Sequence, residues 1–376
     1  MKKKIIILII ISLFFTLGCS YKEINDLAIV SAIGIDYKDN NYVVSVQVMN
    51  LQKETNDATT ESSILYSASG KTILEALKNI HLKYPNTLYL GHSELLIIGQ
   101  SIILNNNINK IFDFFLREPQ ARTDCLVIVS DKNDAIDLIN PKDENNEGTF
   151  PSKDLITTIE NSKEITGYTI TQTLEEFIIN YYEEGLDTVL TNVVIDNSDN
   201  QIKTKLTGLV AFKNNNYVGR LSENNSFIYN TINNNYKRGS IDIPYKNNLL
   251  GLELKPNSKI NVSIKDNKII YDINVTLEGV VTELHTNIDF NTDKDYKKLE
   301  DATNEYIKEE IKSLIDYCKS NNVDILGLKN LLYKYKYKEY KKYKDSDIYN
   351  ISKININVDS NIYRYGNISR GDNYES

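Results

Sequence analysis

Apolar and polar positions alternate over two neighbouring stretches near the start of the chain. In "NYVVSVQVMNL" the side chains of Tyr42, Val44, Val46 and Val48 fall on one face, which is the period-two pattern of a half-buried strand. The preceding stretch, "LAIVSAIGID", is equally apolar, and a polar turn at 39–41 separates the two. The pattern therefore predicts a β-hairpin.

Helical periodicity then alternates with short apolar strands. "KTILEALKNIHLKY" places Ile73, Leu74, Leu77 and Ile80 on one stripe of a helix. Three further segments continue the alternation: a buried strand at 95–99, a helix over about 101–116 and a strand around Val127. Helices and strands of this length, in this order, predict a mixed α/β sheet covered by helices.

Polar segments and capping residues divide the middle of the chain. The stretches 52–63 and 140–154 are predicted to be loops, the second because it holds two prolines and a cluster of charges. In "TQTLEEFIINYYEEG", Thr173 and Glu176 have the spacing of a helix capping box, and Gly185 follows at the helix end.

From about residue 200 the pattern becomes rich in strands. "KINVSIKD" and "KIIYDINVTLEGVVTEL" predict an antiparallel pair joined at Asp266-Asn267, and "SKININV" predicts a final strand. A long amphipathic helix is predicted over about 296–320. We expect an N-terminal α/β domain over 19–199 and a C-terminal domain over 200–376 that combines an antiparallel sheet with this helix.

The first residues have the layout of a secretion signal. Lys2, Lys3 and Lys4 precede an apolar run over 5–17, and a small residue precedes Cys19. Residues 1–18 are predicted to be a lipoprotein signal peptide, after which Cys19 is the lipidation site. A plain secreted protein that is cleaved near Cys19 is the alternative.

The net charge argues against nucleic acid as a partner, and the cysteine spacing argues against a metal site. The formal net charge is −8, which gives nucleic acid little reason to bind. Cys125 and Cys318 lack the spacing of metal ligands, and we favour two buried free thiols over a disulfide between them.

No catalytic motif is evident. The three histidines, His81, His92 and His285, form no metal-ligand pair, and no nucleophile motif or phosphate-binding loop is present. His92, in "LYLGHSELLIIG", is predicted to make local hydrogen bonds at a turn. We expect no catalytic residues, no cofactor and no metal.

The sequence leaves the role of one segment undecided. In "YKYKYKEYKKYK", at 333–344, lysines and tyrosines alternate. The segment is either a solvated strip whose tyrosines pack on the domain, a surface that contacts anionic lipid headgroups, or a site on which bases stack.

Five segments, taken in order, resemble the Ger(x)C family of spore germination lipoproteins. They are "EINDLAIVSAIGID" (23–36), "LGHSELLIIG" (90–99), "FFLREPQARTDCLVIVS" (114–130), "TGLVAFKNNNYVGRL" (207–221) and "VDILGLKNLLYKYKYKEYKKYK" (323–344). The chain departs from the family pattern at Ser20, where a Trp is usual, and at Gly327-Leu328-Lys329, where Gly-Phe-Gly is usual.

The resemblance implies a multi-lobed α/β fold particular to the family, with mixed and antiparallel sheets flanked by helices. It also implies a non-enzymatic, lipid-anchored C subunit of a nutrient germinant receptor, on the outer face of the spore inner membrane. The implied partners are a membrane-embedded A subunit and a transporter-like B subunit. The alternative is a lipid-anchored solute-binding protein with two similar lobes around a ligand pocket. A third hypothesis, an exported hydrolase with paired carboxylates, has no support beyond abundant Asp and Glu.

Overall fold

Two sheets flanked by helices organise the chain. The computed structural model describes residues 27–50, 62–105, 107–139, 151–197, 203–214, 216–246, 248–284 and 292–363. Its strands are β1 (Leu27–Lys38), β2 (Asn41–Asn50), β3 (Ser62–Gly70), β4 (Thr87–Tyr89), β5 (Leu95–Ile98), β6 (Leu126–Val129), β7 (Thr188–Asp196), β8 (Lys203–Lys213), β9 (Asn216–Arg220), β10 (Gly239–Tyr245), β11 (Asn248–Lys265), β12 (Lys268–Leu284) and β13 (Lys353–Tyr363).

The helices fall between these strands. They are α1 (Ile73–His81), α2 (Gln100–Leu104), α3 (Ile108–Arg117), α4 (Ala135–Ile139), α5 (Pro151–Ile165), α6 (Leu174–Tyr182), α7 (Glu223–Asn233), α8 (Asp293–Ser320), α9 (Leu328–Tyr335), α10 (Tyr337–Tyr343) and α11 (Ile348–Ile351). The mixed α+β class expected from the sequence is confirmed.

The first sheet is mixed and has nine strands among the described residues. Its order is β3-β2-β1-β5-β6-β7-β8-β9, with β4 paired to β1. The predicted hairpin of β1 and β2 is confirmed as an antiparallel pair that turns at Asp39 and Asn40, both of which have positive φ. The centre of the sheet is parallel, because β1, β5, β6 and β7 run in the same direction.

Both faces of the first sheet are buried. Ile33, Ile35 and their neighbours on one face pack against α1, α2, α3 and α6. Ala32, Leu95 and their neighbours on the other face pack against α4 and α5. A parallel sheet needs this cover on both faces, which explains why its strands read as continuous apolar runs.

The second sheet has the order β10-β11-β12-β13. The predicted antiparallel pair of β11 and β12 is confirmed, with its turn at Asp266 and Asn267. The final strand, β13, runs parallel to β12, so the expectation of an antiparallel sheet is wrong at that strand. The reason is the intervening crossover through α8, because a long helical connection returns the chain in the same direction.

The long helix α8 joins the second sheet to the rest of the core. Its predicted apolar side is buried, including Ile307, Leu314 and Cys318. The same cluster contains Val189 and Leu209 of the first sheet. The two sheets therefore share a hydrophobic core.

Two helix predictions and one loop prediction need correction. In α1, Ala76 occupies the buried stripe, whereas Leu74 is 43% exposed. The helix predicted over 101–116 is two helices, because Asn105 Nδ2 bonds back to Ser101 O at 2.6 Å and competes with the helical ladder. The loop predicted over 140–154 ends at Pro151, the first residue of α5, a position that suits proline because its missing N–H is not needed there.

Some expectations lie outside the described residues. These are the signal peptide, Cys19, His285, most of the loop at 52–63 and the 140–150 part of the second loop. The expected boundary between residues 199 and 200 falls between β7 and β8, which pair with each other in the first sheet. The division into two domains stays a prediction.

Candidate functional site

A cleft lies where the start of β7 meets the segment that follows α8. We call it the junction cleft; it is formed by residues 183–188, residues 322–324, Lys329 and the stretch that includes Tyr340 and Tyr349. Its volume is about 410 Å³. It brings together two short segments, "EEGLD" and "VDILGLK", that are far apart in the sequence.

Asp324 is the buried carboxylate of this cleft. Its Oδ1 accepts hydrogen bonds from Leu328 N at 3.0 Å and Tyr349 Oη at 2.8 Å, and its Oδ2 accepts one from Lys329 N at 2.8 Å. Burial raises the pKa of Asp324 to about 6, although these hydrogen bonds lower it. The carboxylate therefore fixes the turn that leads into α9.

Asp187 faces Asp324 across the cleft. Asp187 N donates to Asp324 O at 3.0 Å, and Asp324 N donates to Asp187 Oδ2 at 2.6 Å. Burial raises the pKa of Asp187 as well, while the bond from Asp324 N and the charges of Lys213 and Lys329 oppose the shift.

Gly185 allows the two segments to approach closely. Its φ is +75°, and its carbonyl accepts a hydrogen bond from Asn330 N at 2.9 Å. A Cβ at this position would lie 2.8 Å from Asn330 N. Asn330 Nδ2 also donates to Glu183 Oε1 and to Glu184 O, each at 2.8 Å. The side chain and the main chain of Asn330 therefore both bind the segment 183–185.

Residues 333–344, the stretch rich in tyrosine and lysine, form the end of α9 and all of α10 at the rim of the cleft. Tyr340 is 7% exposed and its hydroxyl donates to Glu184 Oε1. Tyr333, Tyr335 and Tyr337 are 39%, 69% and 50% exposed. The expectation that the tyrosines pack on the domain therefore describes Tyr340 and the partly buried Tyr343, but not these three.

The two histidines that the structure describes, His81 and His92, do not form a reactive group. His81 is exposed at the end of α1, and His92 lies in a 3₁₀ turn with its Nε2 3.7 Å from Glu94 Oε1. Within the described residues no three His, Cys, Asp or Glu side chains are arranged to hold a metal ion. None of the described helices is both long enough and apolar enough to cross a bilayer.

The two thiols are free and buried, as expected. Burial raises the pKa of Cys125 and of Cys318 to about 12. Neither is therefore a ready nucleophile.

The carboxyl edge of the parallel strands is occupied by the chain itself. Ligands of open α/β sheets usually bind there. Here the Asp36 carboxylate fills the position, accepting from Ala135 N at 2.9 Å and Ile136 N at 3.3 Å at the start of α4. Burial raises the pKa of Asp36 to about 6.

Asp131, at the same edge, is also fully engaged. Arg220 Nε donates to its Oδ2 at 2.9 Å, and Asn192 Nδ2 donates to its Oδ1 at 2.9 Å. Burial would raise the pKa of Asp131, but these hydrogen bonds outweigh it and hold the pKa below the usual value. Both side chains are therefore hydrogen-bonded within the fold at this edge.

Sequence reasoning missed Asp36, Asp131, Asp187 and Asp324. Each lies next to an apolar strand or a turn, and this location is only a weak indication in the sequence that the carboxylate is buried. Asp36, Asp131 and Asp187 bond to partners between about sixty and about one hundred and forty residues away, and no local pattern identifies such pairs. The Asp324 carboxylate accepts from nearer residues, but its burial depends on distant segments.

Comparison with known proteins identifies the family. Residues 20–195 match the model of the spore germination protein N-terminal domain, and residues 207–366 match the spore germination B3/GerAC-like C-terminal domain. The chain is 23% identical to spore germination protein KC of Bacillus subtilis, over 90% of this chain and 89% of that protein. It is also 23% identical to spore germination protein B3 of the same organism, over 80% of each chain.

A solved structure has the same fold. The crystal structure of the GerBC protein superposes with a TM-score of 0.55 and 17% identity, and the match covers 88% of this chain and 96% of that one. The two family models together span most of the sequence. The chain therefore belongs to the spore germination GerAC family.

Proposed function

We propose that this chain is the C subunit of a spore nutrient germinant receptor, that it acts without catalysis, and that a lipid on Cys19 anchors it. The observation that carries the proposal is the match to both halves of the family, in order, over residues 20–366. The match begins directly after Cys19, which is where the mature body of a lipoprotein begins. The partners are the A and B membrane subunits, and the location is the outer face of the spore inner membrane.

Lipid anchoring has a physical basis. One acyl chain holds a protein to a bilayer only marginally, whereas two or three chains hold it stably, at about 0.8 kcal/mol for each buried methylene. A diacylglycerol on Cys19 would keep the folded body at the membrane surface. There it would contact other receptor subunits.

The test is a Cys19→Ala variant in the producing organism, with Ser20→Ala as the matched control. We expect Cys19→Ala to leave the spore membrane fraction and to impair nutrient-triggered germination, measured as the fall in absorbance of a spore suspension. Ser20→Ala should behave as wild type. Unchanged membrane retention and germination in Cys19→Ala would contradict the proposal.

A solute-binding protein remains the second candidate because the junction cleft has a volume within the range of small-molecule pockets. The solute-binding hypothesis predicts two similar lobes, but the two sheets differ in strand number and order. Calorimetry of residues 20–376 with a panel of nutrients separates the two. Saturable heat favours solute binding, and its absence favours an assembly subunit.

A further inference from the structure

The segment 333–338 is an exposed run of alternating tyrosines and lysines. All six of its residues are exposed, and Tyr335 is exposed most among its tyrosines, at 69%. Lys341, Lys342 and Lys344 are exposed just beyond it. We call these nine residues the Tyr/Lys surface.

A fixed aromatic base supports this surface. The rings of Tyr333 and Tyr337 lie 5.2 Å and 6.2 Å from the ring of the buried Tyr340, which is hydrogen-bonded to Glu184. Lys341 Nζ lies 4.8 Å from the centre of the Tyr337 ring. The rings of Tyr333 and Tyr337 are therefore held in place before any partner binds.

The charge of the surface is positive and only partly neutralised. Lys334 pairs with Glu183 at 3.1 Å, and Lys342 pairs with Glu339 at 3.5 Å. Lys336, Lys338 and Lys344 form no ion pair within the described part of the chain. Since the whole chain carries a net charge of −8, this surface is a local exception to its acidic character.

The topology places this surface at the edge of the first sheet where the chain enters. Because β1, β5, β6 and β7 are parallel, Leu27 and Thr188, the first residues of β1 and β7, lie at the same edge. Three strand spacings, roughly 14 Å, separate the two strands. The register also places Leu27 four residues, roughly 13 Å, farther out along the strand direction than Thr188. Residues 183–187 directly precede Thr188, and Glu183 and Glu184 bind Lys334 and Tyr340.

The proposed anchor is close to the same edge. Cys19 precedes Leu27 by eight residues, and a chain of that length spans at most about 28 Å. This step rests on the proposed lipidation of Cys19. A bilayer that holds Cys19 therefore lies within reach of the edge that carries the Tyr/Lys surface.

We propose that the Tyr/Lys surface docks on an anionic phospholipid bilayer and orients the protein on it. Tyrosine and lysine both suit this environment, because each has an apolar body and a polar or charged end that stays in water. Cationic side chains are attracted to anionic headgroups, while the acidic remainder of the chain is repelled. An acidic polypeptide or a nucleic acid would also be attracted by the positive charge of the surface. Neither would explain why the surface lies close to the proposed lipid anchor.

The experiment measures sedimentation of residues 20–376, which include every described element, with phosphatidylcholine vesicles that contain or lack phosphatidylglycerol. The test variant is Lys336→Glu/Lys338→Glu/Lys344→Glu. The control is Lys294→Glu/Lys297→Glu/Lys298→Glu, which makes the same charge change in exposed residues at the start of α8. That helix has 28 residues and is therefore about 42 Å long, and the control lies at the end remote from the junction cleft.

We expect binding to the anionic vesicles only, weakened by salt, and reduced about tenfold or more in the test variant. The control should bind as the parent does. Equal binding of parent and test variant, no binding to anionic vesicles, or tighter binding to polyglutamate or RNA than to vesicles overturns the proposal.

Because these proteins lack Cys19, the result does not depend on the lipid anchor. Vesicle binding together with an unmodified Cys19 in spores would contradict the proposed lipid anchor and support bilayer docking by the Tyr/Lys surface. An acylated Cys19 together with no vesicle binding would support the anchor and contradict the docking.

Discussion

Asp187 and Asp324 bind each other's main chain although 137 residues separate them in the sequence. Asp187 N donates to Asp324 O at 3.0 Å, and Asp324 N donates to Asp187 Oδ2 at 2.6 Å. The pair connects the residue directly before β7 to the turn after α8. The Tyr/Lys surface takes its position from this connection, because α9 begins at that turn.

Replacing Asp324 by Ala should destabilise the protein strongly. The change leaves Leu328 N–H, Lys329 N–H and the Tyr349 hydroxyl without their acceptor in a buried site. We expect the free energy of unfolding to fall by about 3 kcal/mol, measured by urea denaturation of residues 20–376. Asp345→Ala, an exposed control, should leave the midpoint unchanged. Equal midpoints for both variants would remove the assigned role.

Stability should depend on pH through Asp36. Burial raises its pKa to about 6, above the ~3.9 of an exposed aspartate. The folded state therefore binds this proton more tightly than the unfolded chain, so the group favours folding below pH ~4 and loses that contribution as the pH rises through about 6.

Compared with an Asp36→Asn variant, the wild type should lose up to about 3 kcal/mol in free energy of unfolding between pH ~4 and pH ~7. Urea titrations at several pH values measure this difference. Ile35→Val, a neighbouring buried change with no titratable group, should give a difference from wild type that is constant with pH. The same constancy for Asp36→Asn would contradict the raised pKa.

A side chain at Gly185 should disrupt the junction cleft. Gly185→Ala places a Cβ in a left-handed conformation and 2.8 Å from Asn330 N, where the backbone cannot move easily. We expect a loss of about 2 kcal/mol in thermal or urea unfolding. In Gly91→Ala the new Cβ meets only the ring of Tyr89, which is 40% exposed and free to shift. That control should lie within about 0.5 kcal/mol of wild type, and a similar loss in both would contradict the assigned close approach.

Arg220 should be needed to neutralise Asp131. The Asp131 side chain is only 9% exposed, so Arg220→Ala leaves a nearly buried carboxylate without its cation. We expect a loss of about 3 kcal/mol in free energy of unfolding. Arg117→Ala breaks a comparable pair with Asp113 whose side chains are 78% and 59% exposed, and it should not shift the unfolding midpoint. A midpoint for Arg220→Ala equal to that of Arg117→Ala would show that Asp131 is solvated.

Local patterns in the sequence predicted the elements that depend on near neighbours. The β1–β2 hairpin follows from alternation and a turn at 39–41, and the start of α6 follows from the Thr173 and Glu176 capping box, which the structure confirms. The buried side of α8 follows from helical spacing alone. In each case the signal is a spacing or a turn between residues that are close in the sequence, so the sequence carries the information.

Tertiary structure decided the direction of β13, the closure of the carboxyl edge by Asp36, and the junction cleft. Alternation in "SKININV" shows which face is buried but not whether the strand is parallel. Asp36 meets Ala135, and Asp187 meets Asp324, across about a hundred residues or more. The sequence by itself determined the β1–β2 hairpin, the β11–β12 pair, the buried side of α8 and the family, while only the packing of distant segments decided which carboxylates are buried and where the Tyr/Lys surface lies. The physical reason is that burial and hydrogen bonding of a polar group depend on partners that chain folding brings together, and no local period encodes them.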